Sequence, residues 1–337
     1  MKPVANPPNP FSSEHRELLI PSPPVQTSVF EETTNQILSR NNSPDLPFRW
    51  SINPYRGCFY GCAYCYARAT HEYWGFGAGT DFESQLIVKP NASAQLQKAF
   101  ERPSWKGELV VFSGNTDCYQ PLEASCRVTR ACLHVCAEFR NPVGIITKSG
   151  LILRDLDVLQ TLHERAWVQV YISIPFADDE TARKVEPYVP SITKRFEIIT
   201  KLAQAGIVVN VSIAPIIPGL NEQDIPKILR RARDAGASGA TYVLLRLHGS
   251  VETVFMDRMS RAFPDRIHKI KNRLQVLRSG NVSEKTFFKR HHGQGLPWQM
   301  IEQLFDVHYR KAGYHEEPDL PVRQTFQRPG PLQTSLF

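Results

Sequence analysis

Long apolar runs are absent from this sequence: no stretch approaches the roughly 18 consecutive apolar residues a membrane-spanning helix needs, so no membrane partner is expected. The N-terminus has no apolar signal core either, which argues against export and for a cytoplasmic protein. Cysteine is scarce and odd in number, seven in 337 residues. Those thiols therefore read as reduced side chains and metal ligands, not as a disulfide framework. Acidic residues are in slight deficit, giving a formal charge of +7 and a pI near 9.0. That excess suits a polyanionic partner but is common among unrelated enzymes. With 42% hydrophobic and 22% charged residues, the chain can bury a sizeable core.

Residues 1–47 contain nine prolines and few apolar clusters, so they are expected to be disordered. From Phe48 the pattern changes, and short β-branched runs alternate with helical patterns. A first strand at 48–53 and a helix over 66–74, broken by Gly75, Gly77 and Gly79, are followed by strands near Leu86, Leu109, Val143, Val168, Ile207 and Ala240. Buried runs separated by helices imply βαβ units around a parallel sheet. About six such units with crossovers of one hand would curl into a partial barrel. The expected fold is therefore α/β: a partial (β/α)6 TIM-like barrel core over 48–250, a disordered Pro-rich segment before it, a basic helical C-terminal extension over 251–317, and a disordered tail over 318–337.

Chemistry concentrates in Asn53-Pro-Tyr-Arg-Gly-Cys58-Phe-Tyr-Gly-Cys62-Ala-Tyr64-Cys65-Tyr66. Three cysteines spaced C-x3-C-x2-C can hold three irons of a [4Fe–4S] cluster, which normally takes four thiolates. No fourth cysteine occurs before Cys118, so one iron would keep an open position. Two other readings stay open on the residues alone. A zinc site would need a fourth tetrahedral ligand, for which His71 is available, and three reduced thiols can simply pack as small hydrophobes. Cys132 and Cys136 share a helix face, but Cys126 falls away from them, and with Cys118 they match no compact cluster motif.

The cysteine spacing, with Gly57, Gly61, Tyr64 and Tyr66 around it, resembles the radical S-adenosylmethionine (SAM) superfamily. The segment Thr116-Asp117-Cys118-Tyr119-Gln120-Pro121-Leu122-Glu123 is similar to a signature of its spore photoproduct lyase-like branch, also called DNA repair photolyase-like. The resemblance implies a cluster on Cys58, Cys62 and Cys65 with SAM as second cofactor, reductively cleaved to a 5′-deoxyadenosyl radical. It also implies an external electron donor such as flavodoxin or ferredoxin. By the same likeness Tyr64, Asn115, Lys148 and Ser173 would bind cofactor: Asn115 near the SAM amine, Lys148 on its carboxylate, Ser173 near the ribose. The turn Ala214–Asn221 would line the adenine. Where the spore lyase has its hydrogen-donating cysteine, this chain has Gly114-Asn115-Thr116-Asp117. Cys118 is the nearest substitute, so reversal of a photoproduct through a cysteine relay does not carry over with the family.

Three functions fit these residues. One is a radical SAM enzyme acting on damaged or modified nucleic acid; the second uses the same chemistry on a small molecule or protein; the third is a non-catalytic iron–sulfur redox or binding protein. Two basic stretches bear on the first. Between Arg258 and Arg278 there are seven Lys/Arg residues against one carboxylate, Asp265, and Phe287–Gly295 interleaves aromatics with cations. At the C-terminus, Gln333-Thr334-Ser335-Leu336-Phe337 resembles the peptide by which bacterial repair and replication proteins dock on the sliding clamp. Gln333, Leu336 and Phe337 would be its contacts, and Gln26-Thr-Ser-Val-Phe30 is a second, similar copy.

Overall fold

The computed structural model describes residues 26–315 and 324–330. Among these the strands, in chain order, are β1 (Ser28–Glu31), β2 (Leu38–Arg40), β3 (Trp50–Ile52), β4 (Tyr55–Arg56), β5 (Gln85–Val88), β6 (Val110–Phe112), β7 (Val143–Thr147), β8 (Val168–Ser173), β9 (Val209–Ile216) and β10 (Gly239–Leu244). Seven of them form one sheet in the order β10-β9-β8-β7-β6-β3-β2. The six from β3 to β10 run parallel, and β2 pairs antiparallel along the edge of β3. The end strands β10 and β2 do not pair with each other, so the barrel is open.

Burial on both faces explains why these strands read as continuous apolar runs. Val110, Phe112, Val143, Ile145, Val168, Val170, Ile172, Val209, Val211 and Ile213 are all essentially inaccessible. The crossover helices Val128–Glu138, Leu156–Arg165, Ile192–Gln204 and Ile225–Asp234 cover the sheet. After β10 come helices Ser250–Ala262, Ile267–Leu277 and Leu296–Lys311, the expected C-terminal extension, the last packed on Ile225–Asp234.

Three expectations need correction. First, residues 26–47 are structured: β1 pairs with β5, and β2 caps the barrel edge. Main-chain hydrogen bonding needs no large apolar cluster, so proline content and low hydrophobicity concealed both strands. The first clamp-like copy, Gln26–Phe30, thus runs into β1 and is not a free peptide. Second, the strand near Leu86 joins β1 and β4 in a separate three-stranded sheet. Third, part of the tail is ordered. Phe326 lies against Phe100 and Phe139, the Gln327 amide donates to the Phe139 carbonyl at 2.9 Å, and Arg328 donates to the carbonyls of Phe100, Arg102 and Trp105. This contact lies against the segments that lead into β6 and β7. Gln333, Leu336 and Phe337 lie outside the described residues.

Candidate active site

The cysteine loop leaves β4 and is held by its backbone. Gly57 has φ +68°, and a Cβ there would come within 3.0 Å of the Gln85 and Phe82 carbonyl oxygens, so glycine is what lets the loop lie against β5. The Cys58 amide donates to Phe82 O at 2.8 Å and the Ala63 amide to Val185 O at 2.9 Å. Arg68, fully buried, spreads its guanidinium over four carbonyls: Cys62 at 3.0 Å, Gly61 at 2.9 Å, Ala78 at 2.9 Å and Gly79 at 2.8 Å. Glu83 neutralises Arg68 and also takes Arg258, which reaches Gly61 O from the C-terminal extension. A buried charge is tolerated only when it is paired and hydrogen-bonded in this way.

Within that frame Cys58 and Cys62 are buried and Cys65 is partly exposed. Burial raises all three thiols, Cys58 well above its ordinary value and Cys62 to about 12, and the presence of the other cysteines adds to the rise at Cys58. Lys148 and Arg195 pull Cys62 back down, while Arg68 and Lys148 do so for Cys65. Cations around a three-thiol set suit an anionic cluster, and a bound metal would hold the sulfurs deprotonated. No three His, Cys, Asp or Glu side chains among the described residues stand close enough to share a single metal ion. A cubane is less demanding, since it asks each thiolate to reach a separate corner. His71, the zinc-ligand candidate, packs its ring on Phe76 at 5.1 Å and edge-on to Phe82 at 5.6 Å, and its Nε2 is buried with no hydrogen-bond partner.

The strand ends bring other sequence-predicted residues to this loop. Lys148, just past β7, lies with its ammonium 5.9 Å from the centre of the Tyr64 ring. Burial opposes its charge, but Cys62, Glu186 and Asp117 outweigh that and raise its pKa. The Tyr64 hydroxyl donates to Glu186, which pairs with Arg195, whose Nη1 donates to the Ser173 carbonyl at the end of β8 at 3.1 Å. Tyr64 and Ser173 are thus two ends of one buried network, and Glu186 and Arg195 went unrecognised in the sequence. They lie 122 and 131 positions from Tyr64, and no local pattern marks such a partner.

Asn115 donates through its side chain to Thr70 Oγ1 at 3.0 Å, and its amide donates to Asn53 Oδ1 at 2.7 Å. Tyr66 donates to Gly114 O at 2.6 Å. The segment after β6 is a staple: Thr116 donates to Tyr55 O, Gln120 bridges Phe59 N and Gly57 O, and Asp117 accepts from Thr147 Oγ1 and the Lys148 amide. Its Glu123 accepts from Tyr55 and Arg154. Cys118 is not brought to the mouth of the site. It is completely buried, and its charged neighbours are Asp117 and Glu123. Cys132 and Cys136 are also core residues and Cys126 is exposed, so these four thiols do not assemble into a second site. Asn221 ties the Ala214–Asn221 turn, donating to Pro175 O and Pro215 O and accepting from the Ile217 amide.

A six-stranded parallel open barrel with a three-cysteine loop at the mouth defines a class of enzymes, and comparison with known proteins agrees. The Radical SAM superfamily profile matches residues 52–232, and this chain belongs to that superfamily. An uncharacterised protein of Mycobacterium tuberculosis is 37% identical over 298 residues, covering 88% of this chain and 84% of its own length. A radical SAM Nalpha-GlyT isomerase of Pseudomonas phage M6 is 22% identical over 63% of this chain and 43% of the isomerase. Among solved structures, spore photoproduct lyase with bound AdoMet and dinucleoside spore photoproduct superposes with a TM-score of 0.60 at 14% identity, covering 85% of this chain and 79% of that one. At that identity the likeness is one of fold. No helix among the described residues is long and apolar enough to cross a membrane.

Proposed function

We propose that the protein is a radical SAM enzyme whose cluster is held by Cys58, Cys62 and Cys65 and whose substrate is damaged or modified nucleic acid. The observation that carries the cofactor half is one short loop presenting Cys58 and Cys62 buried and Cys65 partly exposed, with the Lys148 ammonium over the ring of Tyr64 between them. A cluster held by Cys58, Cys62 and Cys65 would supply the electron for reductive cleavage of SAM. The chain's own residues bind, orient and shield. Lys148 offers its ammonium to the SAM carboxylate as a charge-assisted hydrogen bond. Tyr64 and Ser173, fixed through Glu186 and Arg195, wall that pocket, and Asn115 sits near the amine. Arg68 and Arg258 keep the loop closed against water.

The substrate half is supported by the solved relative that binds a dinucleoside lesion and by the basic, aromatic C-terminal extension. Abstraction from a base requires extruding it from the stack, which is cheapest for a damaged one. For electrons, a groove of about 490 Å³ beside the cysteine loop, lined by Tyr60, Tyr188, Arg183 and Lys194 among others, offers cations to an acidic flavodoxin or ferredoxin.

The test is anaerobic reconstitution with iron and sulfide, followed by dithionite and SAM. The native chain is expected to form 5′-deoxyadenosine and the Cys58→Ala/Cys62→Ala/Cys65→Ala variant to lack both cluster absorbance and product. Four irons retained by that variant would overturn the ligand set. Product formation that nucleic acid leaves unchanged would favour a small molecule or protein as substrate.

A further inference from the structure

Arg246 lies two residues past β10, at the mouth of the barrel, and is only partly exposed. Its Nε is shut away from water and has no hydrogen-bond partner. The carboxylate within its electrostatic reach is Asp45, and Asp45 is already taken. Arg290 holds it with two hydrogen bonds, Nε to Oδ2 at 2.7 Å and Nη2 to Oδ1 at 2.6 Å, and the Phe288 amide adds a third. Two guanidinium groups thus share one acid. A guanidinium nitrogen desolvated without a partner is costly, and the planar fork is shaped for an oxyanion.

A second group points the same way. His291 follows Arg290, and the Leu244 amide donates to its carbonyl at 3.0 Å, which fixes it to the end of β10. Both its ring nitrogens are buried without a hydrogen-bond partner, and Arg246 is close enough to influence its titration. Ser250, four residues past Arg246, donates to Glu72 just beyond the cysteine loop, which ties this segment to it. A guanidinium with an unpartnered Nε therefore lies near an imidazole whose closest acid, Asp45 at 3.7 Å from Nε2, is already held by Arg290. The strap that carries His291 exposes Phe287, Phe288, Lys285 and Lys289.

We propose that Arg246 and His291 form a phosphate-binding subsite that holds a phosphodiester of the substrate strand beside the cysteine loop. Arg246 supplies the guanidinium fork and His291 one N–H, while Phe287 and Phe288 offer faces on which flanking bases stack. This deepens the nucleic-acid reading above and rests on it. The exposed aromatics favour nucleic acid over an acidic peptide, which has no bases to stack.

The test is fluorescence anisotropy of a labelled single-stranded oligodeoxynucleotide on the anaerobically reconstituted full chain, measured across a salt series. Arg246→Met is expected to weaken binding by about 10- to 100-fold and to lower the slope of log affinity against log salt by about one phosphate, with Arg246→Lys in between. Its melting temperature should be no lower than that of the native chain, because a buried, unpartnered Nε has been removed. Three results would overturn the proposal: native-like oligonucleotide binding by Arg246→Met; an equal loss of SAM affinity, which would put Arg246 in the cofactor pocket; or displacement of the oligonucleotide by a glutamate-rich peptide of matched charge. Cluster formation and 5′-deoxyadenosine are read separately, so failure here leaves the radical SAM assignment standing.

Discussion

Lys148 carries a positive charge beside the cysteine loop with no carboxylate bonded to its ammonium among the described residues. Asp117, the nearest acid in sequence to the β6 end, spends its oxygens on Thr147 Oγ1, the Lys148 backbone amide and the Tyr119 amide, and Glu186 is paired with Arg195. The lysine head is left for a ligand. A charge-assisted hydrogen bond contributes on the order of 1.5–3 kcal/mol, so Lys148→Ala is expected to weaken SAM binding by about one to two decades. Equilibrium binding on a fully clustered protein measures it, and unchanged affinity would remove Lys148 from the pocket. Lys148, Tyr64, Asn115 and Ser173 stand out in the sequence because each sits at a strand end or in a short motif, and their cofactor-binding role is the proposal made above. Glu186 does not, since what singles it out is Tyr64, 122 positions back along the chain, and Arg68 does not, since its partners are mostly main-chain carbonyls, which no side-chain pattern marks.

The parallel strands were legible for a plain physical reason: two buried faces leave no polar alternation, and the intervening helices show their own period. Pairing was not, because an apolar run does not name its neighbour. β5 reads like the barrel strands yet hydrogen-bonds to β1 and β4. The ordered stretch 324–330 escaped for a related reason, since its grip comes from one aromatic ring and main-chain carbonyls. Gly107 shows how close that grip is. Its φ is +76°, and a Cβ there would fall 2.1 Å from Phe326 Cβ. Gly206 has a similar φ of +80° with nothing within 4 Å. Gly206→Ala should cost about 1 kcal/mol of backbone strain alone. Gly107→Ala should cost roughly 1–3 kcal/mol more by overpacking, and should release the tail to limited proteolysis. Equal losses in urea unfolding would mean that Phe326 does not pack there.

Across the whole molecule, burial sets the pH behaviour. His71 and His291 are both pushed down to about 4, chiefly by desolvation, from an ordinary value of 6.5. The unfolded chain therefore takes up protons near pH 6.5 that the folded chain refuses until about pH 4. Stability from these groups is complete above pH 6.5 and is lost as pH falls toward 4. For His71, whose ring is almost wholly buried, the loss by pH 4 is on the order of 3 kcal/mol. The thiols act at the other end: Cys62 and its neighbours are raised above their ordinary value of 9.0, so the metal-free protein keeps their contribution below pH 9 and loses it above. The acid limb is the cleaner test. His71→Phe keeps an aromatic ring against Phe76 and Phe82 but binds no proton. Its urea midpoint is expected to fall less steeply than that of the native chain between pH 6.5 and 4.5, with the two converging in slope above pH 7. Parallel curves throughout that acid window would show that His71 accepts a proton in the folded state, and the buried aromatic cluster would then have to admit water.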